Sequence, residues 1–250
     1  MIKSKLINKH KTISHGFFNK LGGHSNGIYR SLNCGAGSQD KKKNINRNLK
    51  KVCKKISCTK NKLVLLEQIH SNKVFSINKI PKKKPVGDAL ITSKSKFALG
   101  ILTADCAPIF IFDPKMKIIA AIHAGWKGAY KNIINKTIIN LKKKGSNVND
   151  LIAVIGPCIS KKKYEVKKDF LNKFTNKNKK NISFFNFSRN KIFFSLSEFI
   201  KNQLKNIGVR NIEVINKDTY SGKNNFFSHR RSLKNKYNDY GRNISVIMIK

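Results

Sequence analysis

Residues 99–129, LGILTADCAPIFIFDPKMKIIAAIHAGWKGA, decide how this chain is read. Ala98 to Leu102 is short and apolar, Thr103-Ala104-Asp105-Cys106 interrupts it, Ala107 to Phe112 is apolar again, and Asp113-Pro114 closes the run with turn chemistry. Ile118 to Ile122 repeats the pattern. It ends in His123-Ala124-Gly125-Trp126-Lys127-Gly128, small residues leading into a helix predicted over Ala129–Leu141. The pattern reads as strand, turn, strand, helix. It leaves a cysteine and a histidine at the ends of two apolar runs, where buried flanks hold polar groups in place.

A lone buried cysteine is ordinarily a small hydrophobe, and a lone histidine a satisfied core residue. Cys106 and His123 together mean more, because thiolate and imidazole are soft zinc donors, and His70 in Leu66-Glu67-Gln68-Ile69-His70 offers a third. Three protein ligands leave a fourth position open, the arrangement of a catalytic rather than a structural zinc. Cys158, in Gly156-Pro157-Cys158, is the alternative fourth ligand, although an open position suits chemistry better. Asp88 follows a glycine at the head of Ala89-Leu90-Ile91-Thr92, placed to orient a ligand, contact a substrate or cap a turn.

The remaining sequence sets the class. With 250 residues and 40% hydrophobic content the chain can bury a real core. No apolar run approaches the ~20 residues of a membrane span, and the start, MIKSKLINKHKTISHGFF, lacks a signal peptide's apolar segment, so the expectation is a soluble protein in the cytoplasm. The five cysteines form no CxxC pair, which argues against a disulfide framework or a zinc-finger fold. The net charge of +41 invites nucleic acid as a partner. Yet 46 of the 53 basic residues are Lys and seven are Arg, the side chain favoured for bidentate recognition of bases and phosphates. Lysine spread along the chain beside Asn and Ile reads as compositional drift, and no specific nucleic-acid partner is expected.

Further along, the glycines between His15 and Gly27 form a polar loop that lets a ligand approach main-chain amides, without a phosphate-loop or dinucleotide spacing. Asp40 to Ser57 predicts a basic helix with Ile45, Leu49, Val52 and Ile56 on one face. Leu63–Ile69 and Lys73–Ile77 read as paired strands and Leu151–Ile155 as a buried one. Lys161–Lys173 and Leu196–Ile207 read as helices, Ile212–Ile215 and Ile244–Ile249 as strands. In a chain so poor in Arg, Arg230-Arg231 beside Phe226-Phe227, and Arg242 after Gly241, mark an anion site.

The pieces HGFFNKLGG, SNGIYRSLN, NRNL, EQIH, GDALIT, LTADCAPI, AAIHAGWKG, IGPCI, YEV, FFSHRR and GR follow one another over essentially the whole chain. In them the chain resembles the zinc-binding purine nucleoside phosphorylase family, earlier named multicopper polyphenol oxidase or laccase-domain proteins and, in bacteria, peptidoglycan editing factors. The resemblance implies zinc ligands at His70, Cys106 and His123, the residues already reached from donor chemistry. It implies an α+β fold, an α/β/β/α layering of mixed sheets flanked by helices, as one catalytic domain over residues 1–250.

The implied activity is phosphorolysis of adenosine, inosine or methylthioadenosine to free base and ribose 1-phosphate, with deamination of adenosine. For such chemistry Asp105 is the first candidate to move protons and Asp88 the second. Lys127, Arg231 and Arg242 are the cations assigned to phosphate, and Asn33 and Gln68 the polar substrate contacts. A hydrolase of cell-wall peptide precursors, using a Cys106/His123 thiol pair or the zinc, is the alternative. A polyphenol oxidase would need many histidines as copper ligands, and the chain has six. Three departures bear on substrate preference: Lys127 stands where Arg is commoner, Tyr240 replaces the usual Thr, and His229 stands where Tyr is frequent. The expected partners are nucleosides and phosphate, with no membrane, in a monomer or weak homo-oligomer.

Overall fold

Strands that are apolar along their whole length must be covered on both faces, and this chain has several. In the computed structural model, which describes residues 1–250, the first strands are β1 (Ile13–Phe17), β2 (Leu63–Val64), β3 (Val74–Ser76), β4 (Ala89–Thr92) and β5 (Ala98–Thr103). They are followed by β6 (Ala107–Asp113), β7 (Ile118–Ala124), β8 (Ile152–Ile155) and β9 (Glu165–Val166). The last are β10 (Phe185–Ser188), β11 (Lys191–Phe194), β12 (Asn211–Val214) and β13 (Asn243–Ile249). The helices are α1 (Lys5–Asn8), α2 (Lys42–Ile56), α3 (Trp126–Tyr130), α4 (Ile133–Lys142), α5 (Lys168–Lys177), α6 (Leu196–Ile207) and α7 (His229–Lys234).

Two sheets stack. One has the order β1-β13-β5-β2 and the other β12-β8-β6-β7-β4-β3; both mix parallel and antiparallel pairs. The period of two along a strand divides each one's side chains between layers. On β6, Phe110 and Phe112 point between the sheets while Ile109 and Ile111 point toward the helices. On β13, Ile247 and Ile249 face inward and Val246 and Met248 outward, under α2. Phe17 of the first sheet stacks on Phe110 of the second at 4.5 Å, closing the space between them. The outer face of the first sheet is covered by Ile45, Leu49, Val52 and Ile56 of α2, the face expected from sequence. The outer face of the second is covered by α3, α4 and α6 and by an aromatic group that includes Phe174, Phe194 and Phe199. The fold is therefore α+β, with the α/β/β/α layering implied by the resemblance. A small sheet, β10-β11-β9, flanks it. No helix is long and apolar enough to cross a membrane.

Four local expectations need correction. The helix predicted over Ala129–Leu141 is two helices, because Asn132 adopts a left-handed conformation (φ 63°) between α3 and α4. The segments 63–69 and 73–77 do not pair: β2 joins β5 in one sheet and β3 joins β4 in the other. His70 turns the chain between them at φ 56°, and the Asp88 carboxylate takes the amides of His70 and Ser71 that a hairpin would have used. Glu165 and Val166, read as helical, form β9 against β11, and the helix begins at Lys168. Finally, β5 and β6 are not neighbours; the short link Ala104–Cys106 carries the chain from one sheet to the other.

Charge contributes little to this architecture. Against 53 Lys and Arg there are four side-chain ion pairs, two of which join an exposed lysine to a carboxylate, so the buried apolar layers carry the stability. One buried histidine does make that stability depend on pH. His15 on β1 is 2% exposed and accepts a hydrogen bond from the Ser4 amide at Nε2, which requires a neutral ring; burial and nearby Lys3 lower its pKa to about 4. The unfolded chain takes up this proton first as pH falls, so the contribution is complete above about pH 6.5 and is lost toward pH 4, a change of about 3 kcal/mol. In denaturant titrations across that range, His15→Gln, which keeps an acceptor without a charge, is expected to flatten the slope relative to wild type.

Candidate metal centre

Three separate segments deliver the expected ligands to one point. His70 lies on the left-handed turn after β2, Cys106 at the end of the link between the sheets, and His123 one residue from the end of β7, opposite Pro108 of β6. Their donor atoms all lie within 4.8 Å of one another. Cys106 Sγ is 3.7 Å from His70 Nε2, and the two imidazoles meet edge to face with ring centroids 4.7 Å apart. This is the only such group of three or more potential metal ligands in the protein.

Asp88, fully buried at the head of β4, organises them. One of its oxygens pairs with His123 Nδ1 at 2.8 Å and accepts the His70 amide at 3.0 Å. The other accepts the Ser71 amide and hydroxyl, each at 2.6 Å. Engaging Nδ1 of His123 leaves its Nε2 for the cluster, as a carboxylate behind a metal-ligating histidine does. Burial works against a charged Asp88, but His123 and Ser71 outweigh it and hold the carboxyl near 2. Burial also opposes the Cys106 thiolate, and the imidazoles of His123 and His70 overcome it, bringing the thiol down to about 6. Burial disfavours a charged His123 as well; the Cys106 thiolate and Asp88 reverse this and raise it to about 9. A deprotonated sulfur beside oriented imidazoles is the donor set of a zinc-type cation. Gly125 makes room for it, since a Cβ there would lie 2.8 Å from both Cys106 Sγ and His70 Cδ2.

Two cavities meet at the cluster. The larger, about 630 Å³, has Gln68, Leu102, Tyr240 and Arg242 in its wall. The smaller, about 300 Å³, has Trp126, Lys127, Tyr164, Leu196 and Arg230. His70, Ala104, Cys106 and His229 border both.

The residues expected around the metal divide between wall and scaffold. Lys127 and Arg242 border the cavities, although the Arg242 guanidinium also stacks 4.4 Å from the Tyr240 ring and donates to the Tyr240 carbonyl. Gln68 lines the larger cavity but spends both ends of its amide on the backbone of Leu102, tying the His70 loop to β5. Arg231 is not placed for phosphate: its guanidinium donates to the carbonyls of Thr219, Tyr220 and Phe226, and it borders neither cavity. Asn33 is buried and borders neither cavity; it donates to Asp40 and accepts the Arg242 amide, so it positions that arginine. Asp105 borders the smaller cavity, at φ 87°, yet its oxygens accept from Thr219 Oγ1, Ser228 Oγ and the Arg230 amide. Burial pushes its pKa up despite those bonds. Cys158 lies outside the cluster, its thiol pushed up to about 12 chiefly by burial. The sequence assigns Tyr164 and Trp126 no site role, marks Arg230 only as part of an anion-binding pair, and marks His229 only as a departure. Trp126 lies three positions from His123, whereas Tyr164, His229 and Arg230 lie more than 40 positions from any of the three ligands, beyond the reach of a local pattern.

Comparisons with known proteins identify the family and the fold. A purine nucleoside phosphorylase of Rickettsia conorii is 36% identical over 180 residues, covering 70% of this chain and 74% of its own. One from Bacteroides thetaiotaomicron is 31% identical over 264 aligned residues, covering 100% and 96%. Among solved structures, the hypothetical protein YfiH of Bacillus licheniformis superposes with a TM-score of 0.88 at 28% identity, over 98% of this chain and 94% of the other. The profile of one family, described as multi-copper polyphenol oxidoreductase laccase, matches residues 14–250. With that match over nearly the whole chain, and with relatives that share its length, the protein belongs to this laccase-like family, as its ordered motifs implied.

Proposed function

We propose that this protein is a zinc-dependent purine nucleoside phosphorylase, converting adenosine, inosine or methylthioadenosine and phosphate to free base and ribose 1-phosphate, with adenosine deamination as a second activity. The observation that carries this reading is the His70–Cys106–His123 cluster opening on two cavities, one of them large enough for a nucleoside. The printed names of the relatives support it. The donor set supports zinc over a multicopper centre, because a single three-ligand group provides for one cation.

His70, Cys106 and His123 would hold the zinc, which would supply a Lewis acid. The protein's own groups do the rest. Asp88 fixes the His123 tautomer and the His70 loop. Lys127 and Arg242 put positive charge on the walls of the two cavities, where phosphate and the charge changes of glycosidic cleavage have to be accommodated. Gln68 keeps the larger cavity's wall in register with β5. Asp105, with its oxygens occupied, holds Thr219 and the start of α7 in place, so that His229 and Arg230 face the site.

The decisive assay incubates zinc-loaded protein with inosine or adenosine, with and without phosphate, and quantifies ribose 1-phosphate, adenine, inosine and hypoxanthine separately. Phosphate-dependent ribose 1-phosphate is the expected product; release of free ribose or cleavage of cell-wall peptides in its place would overturn the assignment. His70→Ala, Cys106→Ala and His123→Ala should each drop zinc from about one ion per chain to near none and abolish turnover together with it. Asp88→Asn is expected to weaken zinc binding by roughly 10–100-fold in competition with a chelator. Gly125→Ala should lose zinc while its far-ultraviolet circular dichroism stays that of wild type, because the added methyl meets Cys106 and His70 and not the core.

A further inference from the structure

Cleaving a purine nucleoside sends the electron pair of the C1′–N9 bond into the base, and an anionic purine leaves poorly unless a proton or a hydrogen bond meets it. The two carboxylates nearest the cluster are poorly placed to provide one. Asp88 accepts from His123, His70 and Ser71, and Asp105 from Thr219, Ser228 and Arg230.

Tyr164 is placed differently. It borders the smaller cavity together with His70 and Cys106, and its hydroxyl neither bonds to a protein group nor is sealed away from the cavity as an unsatisfied buried atom. Its ring is held on several sides. Phe194 packs edge-on at 5.9 Å, Phe170 lies at 6.4 Å, and the Arg230 guanidinium sits 5.4 Å from the ring centroid. The main chain is fixed as well, with the Tyr164 amide donating to the Ser160 carbonyl and the Tyr164 carbonyl accepting from Phe194. A ring-fixed phenol whose hydroxyl has no protein partner thus borders a cavity of about 300 Å³ that Trp126 also lines, a size that admits a flat bicyclic base; with Trp126 and Arg230 it borders a second, more open cavity as well.

We propose that Tyr164 is the proton donor to the leaving base, its hydroxyl directed at N7 of a purine bound in the smaller cavity. This inference rests on the phosphorylase reading above. In the step, the C1′–N9 bond breaks with its electron pair passing to the purine, and the Tyr164 proton moves to N7, so that the base departs neutral. An oxygen of hydrogenphosphate forms the new bond to C1′. The proton that hydrogenphosphate sheds on becoming the ester restores the phenol, and no other co-reactant is needed.

The test compares wild type and Tyr164→Phe, both zinc-loaded, on inosine and on 7-methylinosine, whose N7 is already alkylated and positively charged and needs no proton. For inosine, kcat should fall by about 100-fold, with KM and zinc content near the wild-type values. For 7-methylinosine the two proteins should agree within about threefold, which a merely structural role of the phenol would not produce. Equal rates on inosine, or the same loss on both substrates, would overturn the role of Tyr164 while leaving the phosphorylase reading intact. Absence of phosphate-dependent ribose 1-phosphate from wild type itself would overturn both.

Discussion

A single buried carboxylate joins the parts of this protein that matter for chemistry. Asp88 stands at the head of β4 and takes donors from His123 on the adjacent strand, from the amides of His70 and Ser71 on a loop that has just left the other sheet, and from the Ser71 hydroxyl. Its cost of burial is met by those donors, and the resulting negative charge is what allows His123 to hold a proton at Nδ1 and present Nε2. Removing the charge would loosen two ligands at once. The left-handed backbone of His70 is held in the same way, since its amide has no strand partner and depends on Asp88.

Such an arrangement needs a rigid frame, and the stacked sheets provide one. Phe17 on Phe110, with Leu99, Ile101, Ile247 and Ile249 against Leu90, Phe112 and Val154, fills the space between the sheets with apolar side chains. The link Ala104–Cys106 crosses between those sheets, so the position of the thiolate follows from how they pack. The large positive charge stays outside this frame and makes few ion pairs. A lysine-rich composition is thus compatible with a well-ordered metal site, because surface charge is screened and the core is indifferent to it.

Glycine and backbone conformation mark the places where the frame was bent to make the site. Gly125 lets α3 begin against Cys106 and His70, and the left-handed residues include His70 of the cluster and Asp105, the residue before Cys106. Asn132, also left-handed, ends α3 one turn later and lets α4 pack separately on the second sheet. These departures from regular structure fall where local sequence patterns are least informative, which is why the single helix expected over Ala129–Leu141 and the hairpin expected over residues 63–77 were not found.

What the amino-acid order determined by itself was substantial: the two-sided apolar strands β6, β7 and β13, the faces of α2 and the span of α6, and the donor trio His70, Cys106 and His123. Each follows from a short-range property, either a periodicity or the affinity of a side chain for a soft cation. Only the tertiary structure decided that β5 and β6 lie in different sheets, that Arg231 and Asn33 are scaffold while Lys127 and Arg242 border the cavities, and that Tyr164 borders the same cavity as His70 and Cys106. The roles of Asp88 and Asp105 also had to wait for it. A polar side chain acts on a substrate only with the hydrogen-bonding capacity its neighbours leave unused, and those neighbours, such as Thr219 and Ser228 around Asp105, come from more than a hundred residues away.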